Sequence, residues 1–371
     1  MKIMLITDAW EPQVNGVVTT MKRVIEETEA AGHVWEVVSP ADGFPTVPLP
    51  TYSEIKLALF ARRKIEDRFH EFEPDAVHIV TEGPLGMAGR AMCLKLKHPF
   101  STAYHTRFPE YLSARLPVPV GWGYAFVRWF HQYSGKVMVP TPSMVAELTA
   151  RGFKNTVAWS RGVDTARFHP GKRVEAGAED DPFPGLARPI FINVGRVAVE
   201  KNIEAFLKLD LPGTKVVVGD GPHLETLKSK YPGAHYTGAR FGDDLARLFA
   251  SADVFVFPSL TDTFGLVVLE AMASGTPVAA FDATGPRDVI PGSNAGVIAD
   301  GPGGLAKAAM DCLVLSRAQC RTYAEGYSWR ACAEDFVEYL QPLPPPERRR
   351  FWTRLRLGRR KTRPGPSQQG A

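Results

Sequence analysis

Three features of the chain predict an α/β protein built from two doubly wound domains. Short apolar runs alternate with helical stretches, the pattern of a parallel sheet covered by helices. That pattern starts afresh near Pro189, after a stretch rich in Gly, Pro and acidic residues that has no apolar period. The length, 371 residues, suits about two domains. Two such sheets would face each other across a cleft, and sheets of this kind bind ligands at the carboxyl ends of their strands.

In the first domain, residues 1–170, strands are expected at 2–7, 34–39, 76–80, 101–104, 136–139 and 156–160. Residues 17–31 form a helix between the first two strands and are closed by Gly32. Residues 171–188 read as a linker. The second domain, 189–327, carries strands at 190–194, 215–218, 254–257 and 277–281, with helices at 202–209, 224–231, 244–250 and 265–274. A further helix lies in 328–342; prolines then break the chain, and 343–371 reads as a flexible basic tail.

Apolar residues make up 44% and charged residues 23%, which excludes disorder, collagen and coiled coil. No apolar run approaches the roughly 18–20 residues of a membrane span. Asp8 and Glu11 come too early for a signal peptide. Cys93, Cys312, Cys320 and Cys332 make no CxxC pair and no zinc spacing. These features together predict a cytoplasmic protein whose cysteines are small buried apolar residues. The net charge of +4 is unevenly placed: residues 343–371 hold nine of the 44 basic residues and one of the 40 acidic ones, so the tail carries +8 and the rest −4. Acidic domains give no electrostatic case for a nucleic-acid partner.

The motifs narrow the chemistry. No GxGxxG stands at a first strand–helix turn, and neither GxxxxGK[ST] nor GxSxG occurs. Asp-x-Asp, the usual metal-bridged diphosphate device, is absent too, so no metal and no cofactor are expected. Gly219-Asp220-Gly221 is half a fingerprint and reads more simply as a tight turn. Residues 194–202 leave a strand and enter a helix, placing Arg196 and Lys201 at the mouth of the cleft. They suit a diphosphate leaving group, one as a fork and one as a point charge, and read equally as two solvated surface charges. The turn at Asn15-Gly16 opens the first helix, where backbone N–H groups would face an anion or merely begin a helix. In residues 258–278, a strand, loop, helix and strand follow one another, with Asp262 in the loop and Glu270 eight residues on in the helix. N–H groups of Phe264, Gly265 and Leu266 would favour a diphosphate there.

In these motifs, with Tyr104-His105-Thr106 and Arg161-Gly162-Val163-Asp164, the chain resembles retaining glycosyltransferases of family four, which have the GT-B fold of two Rossmann-like domains. The acid-x7-acid pair ordinarily begins with Glu; here it is Asp262 and Glu270, and the arm shorter by one methylene bears on which sugar hydroxyls are read. The resemblance implies sugar transfer from a nucleotide diphosphate with retained configuration, the nucleotide sugar being a co-substrate. It assigns diphosphate binding to Gly16, Arg196 and Lys201, and donor-sugar contacts to His105, Asp262, Phe264, Gly265 and Leu266. Ribose falls to Glu270, and the base to the neighbourhood of Ala239 and Arg240. The helix in 328–342 would cross back to the first domain. On its own, His105 reads as a satisfied structural side chain; the resemblance makes it a hydrogen-bonding group for the donor sugar rather than a base.

Tyr104–Leu112 and Thr261–Gly265 look like the glycolipid-forming branch: sulfoquinovosyl, glucuronosyl or glucosyl diacylglycerol synthases and glycolipid mannosyltransferases. A lipid acceptor implies visits to the cytoplasmic membrane face. Residues 121–131, dense in aromatics, suit a lipid interface or a core helix, and residues 55–72 offer a second face around Phe60. In the tail, Phe351, Trp352 and Leu355 among arginines could form an apolar stripe on an anionic leaflet. A soluble sugar or polysaccharide acceptor, and a catalytically silent sugar-nucleotide-binding protein, are the competing readings.

Overall fold

The computed structural model describes residues 1–13, 15–49, 52–115 and 118–362. Strands β1 (Lys2–Ile6), β2 (Val34–Val38), β5 (Ala76–Ile79), β6 (Ser101–Ala103), β7 (Val137–Val139) and β8 (Thr156–Ala158) form one parallel sheet in the order β2-β1-β5-β6-β7-β8. An antiparallel pair, β3 (Thr46–Leu49) and β4 (Tyr52–Ala58), stands apart from it. The second sheet holds β9 (Ile190–Val194), β10 (Thr214–Val218), β11 (His235–Gly238), β12 (Val254–Phe257), β13 (Val278–Ala280) and β14 (Gly296–Ile298), again all parallel, in the order β11-β10-β9-β12-β13-β14. The chain reverses its direction of winding at β1/β5 in the first sheet and at β9/β12 in the second, and the loops after those strands open a crevice. This is the GT-B architecture.

Burial on both faces explains why the central strands read as apolar runs. Every residue of β5, β9 and β12 is buried. Helix Gly16–Ala30 buries Val18, Met21, Val24 and Thr28 on one face. Helix Trp329–Tyr339 packs its Trp329, Cys332 and Phe336 against Ile3, Leu5, Met21 and Trp159 of the first domain, so the chain crosses back. Where the two crossing segments pass, Val163 N–H donates to the Tyr327 carbonyl (3.0 Å), and a Cβ on Gly162 would lie 2.3 Å from the Trp329 nitrogen. The four cysteines are buried and unpaired.

The tail differs from its expectation as a flexible appendage. Residues Pro345–Thr362 form a helix, and Phe351 and Trp352 are only 6% exposed. The Trp352 ring lies 5.0 Å from that of Phe69, and the Phe351 ring 5.2 Å from His98. Arg348 closes the contact with an ion pair to Asp75 at 2.5 Å. The stripe expected to face a membrane therefore faces the first domain's core, because an aromatic pair buried in protein leaves water as completely as one buried in lipid. Arg349, Arg350 and Arg354 are exposed; residues 363–371 lie outside the described residues.

Candidate active site

The loops after β9 and β12, the switch point of the second sheet, are laced together. Lys201 Nζ lies 2.5 Å from Asp262 Oδ1, Asn202 Nδ2 donates to the Pro258 carbonyl (3.1 Å), and Thr261 Oγ1 donates to the Glu200 carbonyl (3.1 Å). The turn at Gly219-Asp220-Gly221 supports the first of these loops. Val197 N–H donates to the Asp220 carbonyl (2.8 Å), and a Cβ on Gly219 would stand 1.8 Å from the Gly195 carbonyl oxygen. Only glycine permits that approach, so the tight turn is the bed on which the Arg196–Lys201 segment rests.

Two residues of the first domain reach this place. A Cβ on Gly16 would lie 3.7 Å from Leu266 Cδ1, and the His105 carbonyl accepts from Thr263 Oγ1 at 2.7 Å. The structure thus brings Gly16, His105, Lys201, Asp262 and the start of helix Leu266–Ala273 together. Arg196 leaves the same edge directly after β9. Ala239 and Arg240 follow β11, two strands away on that edge, and the Arg240 guanidinium is turned to the Ala239 carbonyl (3.4 Å).

The two helix starts differ as anion sites. At Gly16 the expected row of free N–H groups is largely used up: the Asn15 carboxamide accepts from both Val17 and Val18 N–H at 3.0 Å. This is an ordinary N-cap, favoured because it satisfies groups the helix itself cannot. Helix Leu266–Ala273 instead begins at Gly265, in the left-handed region (φ +82°), with no side-chain cap. Its first N–H groups and dipole are the stronger attraction for an anion.

Electrostatics mark the same residues. Asp262 Oδ2 is buried without a hydrogen-bond partner. Burial pushes the Glu270 carboxyl up to about 7; Arg167 draws it down and Asp164 raises it further. Asp164 is itself held by Arg23 of the first helix at 2.7 Å. Burial, with the Arg161 guanidinium beside it, holds His105 well below the usual imidazole range, and its Nε2 is buried and unpartnered. Arg23 and Arg167 carry no motif, and only the fold reveals them; Thr263 stands in the Thr261–Gly265 motif, but its contact with the His105 carbonyl shows only in the fold. Arg161 and Asp164 do stand in a motif, but their place beside His105 and Glu270 is not encoded locally. Among the described residues no group of His, Cys, Asp and Glu side chains is placed to hold a metal ion.

A crevice between two parallel sheets, with a lysine–carboxylate pair at one switch point and a histidine contributed from the facing domain, defines a sugar transferase of the GT-B class. Residues 188–314 match the family described as glycosyl transferases group 1, and residues 14–167 match glycosyltransferase family 4. The chain belongs to this glycosyltransferase family. It is 32% identical to a GDP-mannose-dependent alpha-mannosyltransferase of Mycobacterium tuberculosis, over 80% of this chain and 83% of that one. Identity to an alpha-monoglucosyldiacylglycerol synthase of Streptococcus pneumoniae is 27%, over 85% and 78%. Among solved structures, sucrose-phosphate synthase from Thermosynechococcus elongatus superposes with a TM-score of 0.70 at 19% identity, covering 91% of this chain and 97% of that one.

Proposed function

We propose that this glycosyltransferase moves a hexosyl or hexuronosyl group from a UDP- or GDP-linked sugar to a lipid acceptor at a membrane surface, with retention of configuration and without a divalent metal. Arg196, Lys201 and the uncapped start of helix Leu266–Ala273 neutralise the departing diphosphate, the Gly16 N–H adding one donor. The diphosphate competes with Asp262 for the Lys201 ammonium, and the released carboxylate turns to sugar hydroxyls beside His105. Glu270 takes the ribose, and the base lies towards Ala239 and Arg240. Neutralising charge as it develops on the leaving group is the main catalytic effect.

One observation carries the lipid acceptor. Helix Val120–His131 buries Tyr124, Val127 and Phe130, while Trp122, Phe126 and Trp129, with Tyr133 just beyond, form an exposed stripe at helical spacing. Trp122 is 73% exposed. The buried Arg90 guanidinium backs Trp129 and Tyr133, 4.2 and 5.5 Å from their ring centroids, while Arg62 and Arg128 are exposed. Trp129 also lines a groove of about 450 Å³ with Met87, Ala88, Arg62 and Phe60, the last 88% exposed. Contiguous exposed aromatics mark a contact surface, and their mixture with arginines suits the headgroup region of an anionic bilayer. The stripe starts next to the cleft: Gly123 packs so closely on Pro109, four residues after His105, that a Cβ would stand 2.8 Å away. Among the described residues no helix is long and apolar enough to cross a membrane, so the contact proposed is peripheral.

The test is to incubate the full chain with a panel of UDP- and GDP-sugars and mixed liposomes, GDP-mannose first, in excess EDTA. Glycolipid product with the donor's anomeric configuration is expected, together with loss of vesicle co-sedimentation in a Trp122→Ala/Phe126→Ala/Trp129→Ala variant. Transfer only to soluble sugars would overturn the acceptor, and magnesium-reversible loss of turnover would overturn metal independence.

A further inference from the structure

Arg161 follows β8 and is buried, yet no carboxylate among the described residues pairs with it. Its Nη1 donates to the Trp159 and Ser160 carbonyls (2.6 and 3.0 Å), and the guanidinium lies 4.3 Å from the Trp159 ring centroid. The remaining edge turns to His105, with Nη2 3.4 Å from Nδ1. A buried cation without a counter-ion is a costly arrangement, and this one stands behind the histidine that the facing domain grips through Thr263.

Donor and acceptor chemistry fixes what that contact means. A guanidinium has five N–H donors and no acceptor, so His105 Nδ1 must present its lone pair. A neutral imidazole has one N–H, which then sits on Nε2, the buried atom with no partner in the structure. We propose that Arg161 is a positioning residue for sugar transfer: it locks His105 in the Nε2–H tautomer, so that the ring donates a hydrogen bond to an oxygen of the donor sugar and does not act as a base. This rests on the reading of His105 as a sugar contact.

The cation behind Nδ1 also polarises the ring, strengthening the Nε2–H donor. Protonation of Nδ1 is opposed by burial and by Arg161, and His78 and His131 act in the same direction. His78 is turned to Ser101 and His131 to Thr102 and Glu82, so neither competes for the His105 ring.

Ring-¹⁵N-labelled full chain gives a readout that does not require turnover, with the His105 signals assigned by their loss in His105→Gln. The wild type is expected to show protonated Nε2, bare Nδ1 and no titration between pH 6 and 8. In Arg161→Met the two tautomers should mix and the ring should begin to titrate. The kcat should fall about tenfold, as for loss of one oriented donor, while affinity for UDP or GDP changes less than twofold. Arg161→Lys, which keeps a cation and a donor, should restore the tautomer and part of the rate. A wild-type ring protonated on Nδ1 overturns the proposal even if Arg161→Met does not fold. An unchanged tautomer, or an unchanged kcat, in a folded Arg161→Met overturns it as well. Failure of the sugar-contact reading would show as wild-type kcat in His105→Gln and leave the ring spectrum unaltered, so the two outcomes are separable.

Discussion

Lys201 and Asp262 hold each other; on the proposed reading a diphosphate and a sugar both arrive there, so their variants should separate two roles. Lys201→Ala is expected to lower turnover by about 10²–10³, the scale of one preorganised charge-stabilising group. Arg196→Lys should also lose rate, because a point charge does not replace a planar fork. Asp262→Asn should behave differently: with its carboxylate competitor gone, Lys201 is released, so the nucleoside diphosphate should bind at least as tightly while kcat falls. Calorimetry with the nucleotide and steady-state kinetics check both, and weaker nucleotide binding in Asp262→Asn would count against competition at Lys201. Glu270 gives the pH signature. Burial raises its carboxyl to about 7, so the charged form, proposed to accept ribose hydroxyls, is gained as pH rises through neutrality. Donor affinity should therefore improve between pH 6 and 8 and level off above. Glu270→Gln should flatten the profile near its low-pH value. The linkage runs the other way for stability: a carboxyl raised above its unfolded value costs stability as pH rises from about 4.5 to 7. The same variant should accordingly raise Tm above pH 7, which a thermal melt would read.

Among the elements of the second sheet, strands buried on both faces were legible in the sequence and the two edge strands were not, whereas the edge strands β2 and β8 of the first sheet were legible. β9 and β12 coincide with their apolar runs, whereas β11 and β14 are short, only partly buried edge strands whose residues carry no such run. The hairpin β3/β4 contains Pro48 and little alternation. In the site, Lys201, Asp262 and His105 were legible because their motifs are local, while the capping of Val17 and Val18 by Asn15 shows only in the side chain's direction. The last helix misled for a physical reason. Its charge density is that of a solvated segment, and the partners of its two rings, Phe69 and His98, lie far upstream. Trp352→Ala should therefore cost about 3 kcal/mol or more, as truncation of a buried aromatic does. Reversing the exposed Arg349 and Arg350 should stay within about 0.5 kcal/mol, as surface substitutions do. Urea unfolding compares them, and equal small effects would return the helix to the status of an appendage. Deleting the segment from Glu347 onward removes core side chains as well as cations, so it cannot report on membrane attachment alone.

At the scale of the whole molecule, the two domains meet across the cleft through a few polar contacts and the apolar contact of Leu266 with the first domain's core. Thr263 reaches the His105 carbonyl, the Arg107 guanidinium donates to Thr284 Oγ1 at 2.5 Å, and Asp288 accepts from Ser143 N–H and Oγ at 2.9 and 2.5 Å. Ser143 stands in the first turn of helix Pro142–Ala150, so the Asp288 carboxylate of the second domain meets the positive end of a helix in the first. Small, polar interfaces between domains ordinarily permit relative motion. Asp288→Ala removes the clasp but no part of the donor site. A charge-assisted hydrogen bond is worth roughly 1.5–3 kcal/mol, enough to lower the closed-to-open ratio about tenfold or more at the low end. Because apparent affinity scales with the competent fraction, donor KM should rise by up to that factor. The kcat should be nearly kept, since saturating donor selects the closed form again. Small-angle scattering of the variant should show a larger radius of gyration that nucleotide restores. An unchanged radius together with an unchanged KM would show that closure is held elsewhere, with Arg107 and Thr284 the next contact to break.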